Sequence, residues 1–142
     1  MNDYGLYVEG RDWRPDGTDV FVATNPGTGE ELGTFVAADA SAVDAVVQSA
    51  SSALANWRRI KPSEKGRVLL AIASRIREKA ADLALLETLD MGQTLTSSRS
   101  DVETAARYFE YYCGAADKFH GETIPLGTDY VSYTENEPFG VV

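Results

Sequence analysis

The chain has 142 residues, 44% hydrophobic and 25% charged, ordinary globular proportions that exclude a mainly disordered or collagen-like polymer. Its formal net charge of -9, from 22 acidic and 13 basic side chains, repels phosphate backbones and anionic headgroups, so neither nucleic acid nor a membrane surface is an expected partner. One cysteine excludes an intrachain disulfide and suits a reducing compartment such as the cytoplasm. The apolar runs are too short to span a bilayer, and MNDYGLYVEG lacks the basic end and apolar core of a secretory signal.

In chain order, Leu6 to Val8 and Val20 to Ala23 favour short strands separated by Gly10, Pro15 and Gly17. NPGTGE, residues 25–30, has turn composition, since Pro presets φ and the glycines tolerate φ > 0. Glu31 to Val36 then forms the return strand of a hairpin. From Ala38 the period changes to 3.6: Val43, Val46, Val47, Ala50, Leu54 and Trp57 make one stripe of an amphipathic helix, with Ser41 and Asp44 as its expected capping pair. Pro62 restarts the chain as a second helix, whose stripe of Val68, Leu69, Ile72 and Ile76 passes a bend at residues 79–82 into Leu83, Leu86 and Leu89. The Val43 to Trp57 face is its expected partner. Gly92 ends this segment.

A fourth, aromatic helix is predicted from Ser98 to Phe119, with Val102, Ala105, Phe109, Tyr112, Ala116 and Phe119 at helical spacing and Asp101 and Glu103 in its first turn. After Gly121 and Pro125 the period returns to two, which predicts a strand over Tyr130 to Glu135, followed by the β-favouring end Phe139-Gly140-Val141-Val142. No repeat or low-complexity linker interrupts the chain.

The residues of types that carry chemistry do not converge. Gly27, Gly29 and Gly33 are spaced GxGxxxG and lead into a strand, whereas a dinucleotide fingerprint is GxGxxG and opens a helix. Cys113 is placed mid-helix with the sole histidine, His120, seven positions on, about 10 Å at ~1.5 Å per residue and too far to activate a thiol. His120 at a helix end suits the terminal carbonyls. Asp101, Glu103, Glu110 and Glu122 form no evident acid/base couple, and neither HExxH nor paired cysteines offer a metal site.

The order of segments nevertheless has a likeness. LYVEGRDW, ATNPGTGEELG, ALANWRRIKPSEKGRVLLAIASRI, LALLETLDMGQTL, AARYFEYYCGAADKFHGETIP and YVSYTENEPFGVV together closely resemble the N-terminal portion of the NAD(P)-dependent aldehyde dehydrogenase superfamily. The resemblance implies an α/β fold: an N-terminal β-hairpin flap plus packing helices of the cofactor domain over residues 1–128, then over 129–142 the first strand of an oligomerisation hairpin, with the Rossmann core itself absent. It implies NAD or NADP as the cofactor of the full-length enzyme, none bound by this chain alone, and as partners the remainder of the enzyme or its own subunits through strand 130–135.

The family's nucleophilic cysteine, general-base glutamate, oxyanion-hole asparagine and NAD-binding lysine have no counterpart here, Cys113 included, so no catalytic or cofactor-binding residue is assigned. Two lesser roles carry over by resemblance: Ala23, Thr24 and Asp90 at a monovalent cation site, and Ser100 and Thr104 on the helix face that borders the substrate tunnel. The contrasting expectation is a stand-alone helical module that docks through its aromatic helix and terminal strand.

Overall fold

The computed structural model describes residues 2–142 and contains small sheets and four helices. Strands β1 (Asn2–Tyr4), β4 (Val20–Thr24) and β5 (Glu31–Val36) form one sheet in the order β1-β5-β4, with β1 parallel and β4 antiparallel to β5. The register aligns Tyr4, Phe35 and Phe21 across the three strands, and their rings stack with centroids 4.8 and 5.5 Å apart. Strands β2 (Leu6–Val8) and β3 (Arg11–Trp13) make a separate hairpin around Glu9 and Gly10, both at positive φ.

The hairpin expected over residues 20–36 is present, with a register shift between Ala23 and Thr24. Its loop is closed by the buried Asn25: the backbone N–H donates to the Glu30 carbonyl at 2.8 Å, the carbonyl accepts from Gly29 at 2.7 Å, and Oδ1 accepts from Gly27 at 2.8 Å. Strands β1, β3 and β6 (Thr123–Ile124) were not expected: Asn2–Tyr4 and Arg11–Trp13 are rich in strand-disfavouring polar residues, and the two residues of β6 are too few to show a period.

Helix α1 (Ala40–Arg59) starts from Asp39, not from a Ser41–Asp44 pair. The Asp39 carboxylate accepts from the Ala42 N–H at 2.7 Å and from the Ser41 hydroxyl at 2.9 Å, which holds its pKa below the ordinary carboxylate value. Helix α2 (Pro62–Glu78) carries Pro62 in its first turn, and the expected bend falls at Lys79, where α3 (Ala80–Met91) begins. Gly92 caps α3 in the left-handed conformation, φ 72°. Helix α4 (Leu95–Ala115) is capped by the Thr94 hydroxyl; it starts and stops earlier than the aromatic spacing implied. Asp101 and Glu103 therefore lie beyond its first turn, and Phe119 and His120 lie past its end, exposed.

The packed centre is α4 against α2 and α3, not α2 against α1. Its buried residues are small: Gly66 and Ala73 on α2, Ala84 on α3, and Ser98, Val102 and Ala106 on α4. Small side chains let helix axes approach, so these residues decide which helices meet, while many larger residues of the expected stripes lie on outer faces. Ile72, Leu83 and Leu86 are substantially exposed, and so are Val43, Val47 and Trp57 of α1. Helix α1 makes no extended contact with another helix. It meets the β2–β3 hairpin through a 3.1 Å Ser49–Glu9 hydrogen bond and the chain end through a 3.3 Å Arg58–Glu137 ion pair.

The chain closes with a short hairpin of β6 (Thr123–Ile124) and β7 (Ser132–Tyr133). The ladder covers Ser132 and Tyr133 of the strand expected over 130–135, extended by the Thr134 N–H donating to the Glu122 carbonyl at 2.9 Å, and Val131, Phe139 and Val142 stay exposed. The accessible surface is 11022 Å². A compact monomer of 15.4 kDa would expose roughly 7,200 Å² by the size scaling of globular proteins. About a third of the present surface is therefore in excess of what a closed globule shows.

Candidate functional site

Two surfaces hold three of the five residues assigned by resemblance, Ala23 and Asp90 on one and Thr104 on the other. The first lies between the aromatic face of the three-stranded sheet and α3: a cavity of about 350 Å³ lined by Tyr4, Phe21, Ala23, Leu32, Phe35, Leu86 and Asp90. Ala23 ends the regular part of β4 and Asp90 is the penultimate residue of α3, 67 positions on, so only tertiary packing joins them. The joint is the Asn25 loop. A Cβ on Gly92 would come within 2.8 Å of the Pro26 ring, so the loop seats directly on the cap of α3. This seating brings the end of β4 toward the end of α3. Thr24 follows the register shift and is exposed.

The cavity has one carboxylate among mainly apolar walls. Among the described residues no group of three or more His, Cys, Asp or Glu is placed to hold a metal ion. A cation at this place would have to combine the Asp90 carboxylate with backbone or hydroxyl oxygens, a donor set that suits hard cations.

The second surface is an open groove of about 390 Å³ along α4, lined by Thr104, Arg107, Tyr108, Tyr111 and Tyr112. Thr104, Tyr108 and Tyr111 recur at i, i+4 and i+7, and the rings of Tyr111 and Tyr112 meet edge to face at 5.2 Å. Ser100 is exposed on the same helix but does not line the groove.

The glycine loop does not offer its amides to a phosphate: those of Gly27 and Gly29 are spent on Asn25, and the chain continues into β5, not a helix. Cys113 is half-buried on α4, its carbonyl facing Gly66, where an added Cβ would lie 3.0 Å from the oxygen. His120 is exposed, and its carbonyl accepts from Asn136 Nδ2 at 3.0 Å.

Two networks were not anticipated. Arg77 of α2 bridges Glu103 and Glu110 of α4, with Nη2 at 3.0 Å from Glu103 Oε1 and 2.9 Å from Glu110 Oε2. Hydrogen bonds from Arg77 hold the Glu110 carboxyl below its usual range, while Glu110 first and Glu103 second raise the guanidinium. The seven-residue spacing of the two glutamates, which puts them on one helix face, was the available signal; the arginine was not legible. At the α3–α4 corner, Ser98 Oγ is fully buried, 2.8 Å from Thr88 Oγ1 and 3.0 Å from Gln93 Nε2, which also donates to Asp101 at 3.1 Å.

A hairpin flap, a layer of packed helices and a short closing hairpin make up the amino-terminal part of a larger α/β dehydrogenase fold. The aldehyde dehydrogenase family model matches residues 13–142, and the chain belongs to that family. It is similar to the mitochondrial aldehyde dehydrogenase of Equus caballus, 41% identical over 125 residues that make up 85% of this chain and 25% of that protein. A solved aldehyde dehydrogenase from Bacillus cereus has 29% identity and a TM-score of 0.92 over 96% of this chain and 28% of its own. PnpE, solved in complex with nicotinamide adenine dinucleotide, has 34% identity and a TM-score of 0.87 over 92% and 27%. The chain thus spans about a quarter of the length of the relatives it matches. Among the described residues, no helix is long and apolar enough to cross a membrane.

Proposed function

We propose that this chain supplies the amino-terminal part of an enzyme that oxidises an aldehyde to a carboxylic acid with NAD or NADP, and that alone it is catalytically inactive. The observation that carries this is the match over residues 13–142 together with a backbone that follows an aldehyde dehydrogenase over 96% of the chain. When bound, the nicotinamide cofactor accepts hydride. The amides of the glycine loop are already engaged, which supports a cofactor site on other polypeptide.

Within this reading, residues 1–128 belong to the cofactor domain and 129–142 begin an oligomerisation hairpin through which subunits pair. Thr104 contributes to the wall of the substrate tunnel, with Ser100 on the same helix. Ala23, Thr24 and Asp90 supply oxygens to a monovalent cation, a role supported by the cavity that Ala23 and Asp90 share. A reducing compartment, the cytoplasm first, suits the lone half-buried thiol.

The surplus surface also favours a second reading, a module that docks on another protein. Co-expression with a polypeptide carrying the other three quarters of a family member separates the two. Co-elution with aldehyde-dependent reduction of NAD or NADP, and none from either piece alone, is the expected result. Turnover by the isolated chain, or a monodisperse monomer that ignores the added piece, refutes the first. Replacing potassium by a bulky organic cation should lower the melting temperature of the native chain but not of Asp90→Ala; equal melts in both salts refute the cation role.

A further inference from the structure

The sequence contains one Asp-Gly step, Asp16-Gly17, in the connection between β3 and β4. Both residues are exposed at a turn outside regular structure. Gly17 has φ 76°, and nothing lies within 4 Å of the place a Cβ would occupy. The Thr18 hydroxyl donates to the Pro15 carbonyl at 2.8 Å, pinning the flanks of the turn without engaging its centre. Among the described residues, neither the Asp16 carboxylate nor the Gly17 amide takes part in a hydrogen bond or ion pair. The aspartates inside helices differ: at Asp44 and Asp101 the following amide is held in the helical ladder and cannot turn onto the side chain.

We propose that Asp16-Gly17 is a site of spontaneous isoaspartate formation. The Gly17 amide nitrogen attacks Cγ of Asp16, and the new N–C bond closes a five-membered succinimide. The carboxyl hydroxyl leaves as water with the amide proton. A water molecule then adds to the ring. Addition at the main-chain carbonyl breaks its bond to the Gly17 nitrogen, so the chain now runs through Cγ with one extra backbone methylene and the free carboxylate sits on Cα. Glycine favours the first step because it has no Cβ to block the attack. The fold imposes little further barrier, because local opening of an exposed loop costs close to nothing.

The test compares the folded chain with a free peptide of residues 14–20 during incubation at neutral pH. Isoaspartate is counted by methyl transfer from S-adenosylmethionine, catalysed by an isoaspartyl methyltransferase, and located by peptide mapping. The folded chain should accumulate it at Asp16 within about tenfold of the peptide rate, as a loop of negligible local stability allows. Asp16→Glu, whose ring would have six members, should fall to background. A folded-state rate lower than that, or a signal at another aspartate, overturns the proposal.

Discussion

Gly66→Ala and Gly114→Ala add the same methyl group to helical glycines, and the structure assigns them opposite signs. Alanine is favoured over glycine in a helix by about 0.8–1 kcal/mol. At Gly114 nothing lies within 4 Å of the new Cβ, so the gain appears, reduced because the residue is next to last in α4. At Gly66 the Cβ would lie 3.0 Å from the Cys113 carbonyl oxygen and 3.5 Å from the Ala116 Cβ. That oxygen belongs to the backbone of α4, so relief requires the two helices to part, and overpacking of this kind costs about 1–3 kcal/mol. Because this seam also buries Ala73 and Ala106, separation loosens the centre of the molecule. Gly66→Ala should be less stable by about 1 kcal/mol net, roughly 3 °C in Tm for a chain of this size. Urea unfolding of both variants reads the difference. If Gly66→Ala is stabilised as much as Gly114→Ala, the close approach of α2 and α4 does not depend on this glycine.

Ser98→Ala, which leaves Thr88 Oγ1 and Gln93 Nε2 short of a partner, should cost about 1–3 kcal/mol in the same assay; a neutral result would mean that the corner is hydrated. Arg77→Gln should lower stability at neutral pH and low salt. The Glu110 carboxyl is depressed in the folded state, so the unfolded chain binds its proton more readily. The stabilisation is therefore present above the ordinary carboxylate range and is lost as pH falls through the folded value. The gap between wild type and variant should close toward acid and shrink with added salt; a gap independent of pH contradicts the ion-pair assignment. Asp39→Ala should reduce helicity by circular dichroism whereas Asp39→Asn keeps the cap, and equal loss in both would discount the hydrogen bond to Ala42.

Local rules carried far here because several elements begin and end on residues whose backbone preference leaves little choice. Pro62 at the start of α2, Gly92 at the end of α3 and the NPGTGE turn were legible from composition, and each stands where expected. The order of six motifs pointed to the family before any geometry was known. Periodicity, however, reports that a face is apolar and not what covers it. The stripe on α1 is real, yet Val43, Val47 and Trp57 remain open while α4 packs on α2 and α3 through glycine, alanine and serine. Small residues are a weak sequence signal because they bury little area each, and their effect, close helix approach, exists only between two helices.

The same limit applies to sites. That Ala23 and Asp90 share a cavity depends on Pro26 lying against Gly92, a contact across 66 positions that no spacing rule encodes. That Glu103 and Glu110 share Arg77 depends on the packing of α2 on α4. Sequence by itself determined the four helices, the β4–β5 hairpin with its turn, and the family, since these follow from periodicity, backbone preference and motif order. Only tertiary structure decided which faces meet and which carboxylates find a cation, because those are matters of distance between segments that the chain brings together by folding.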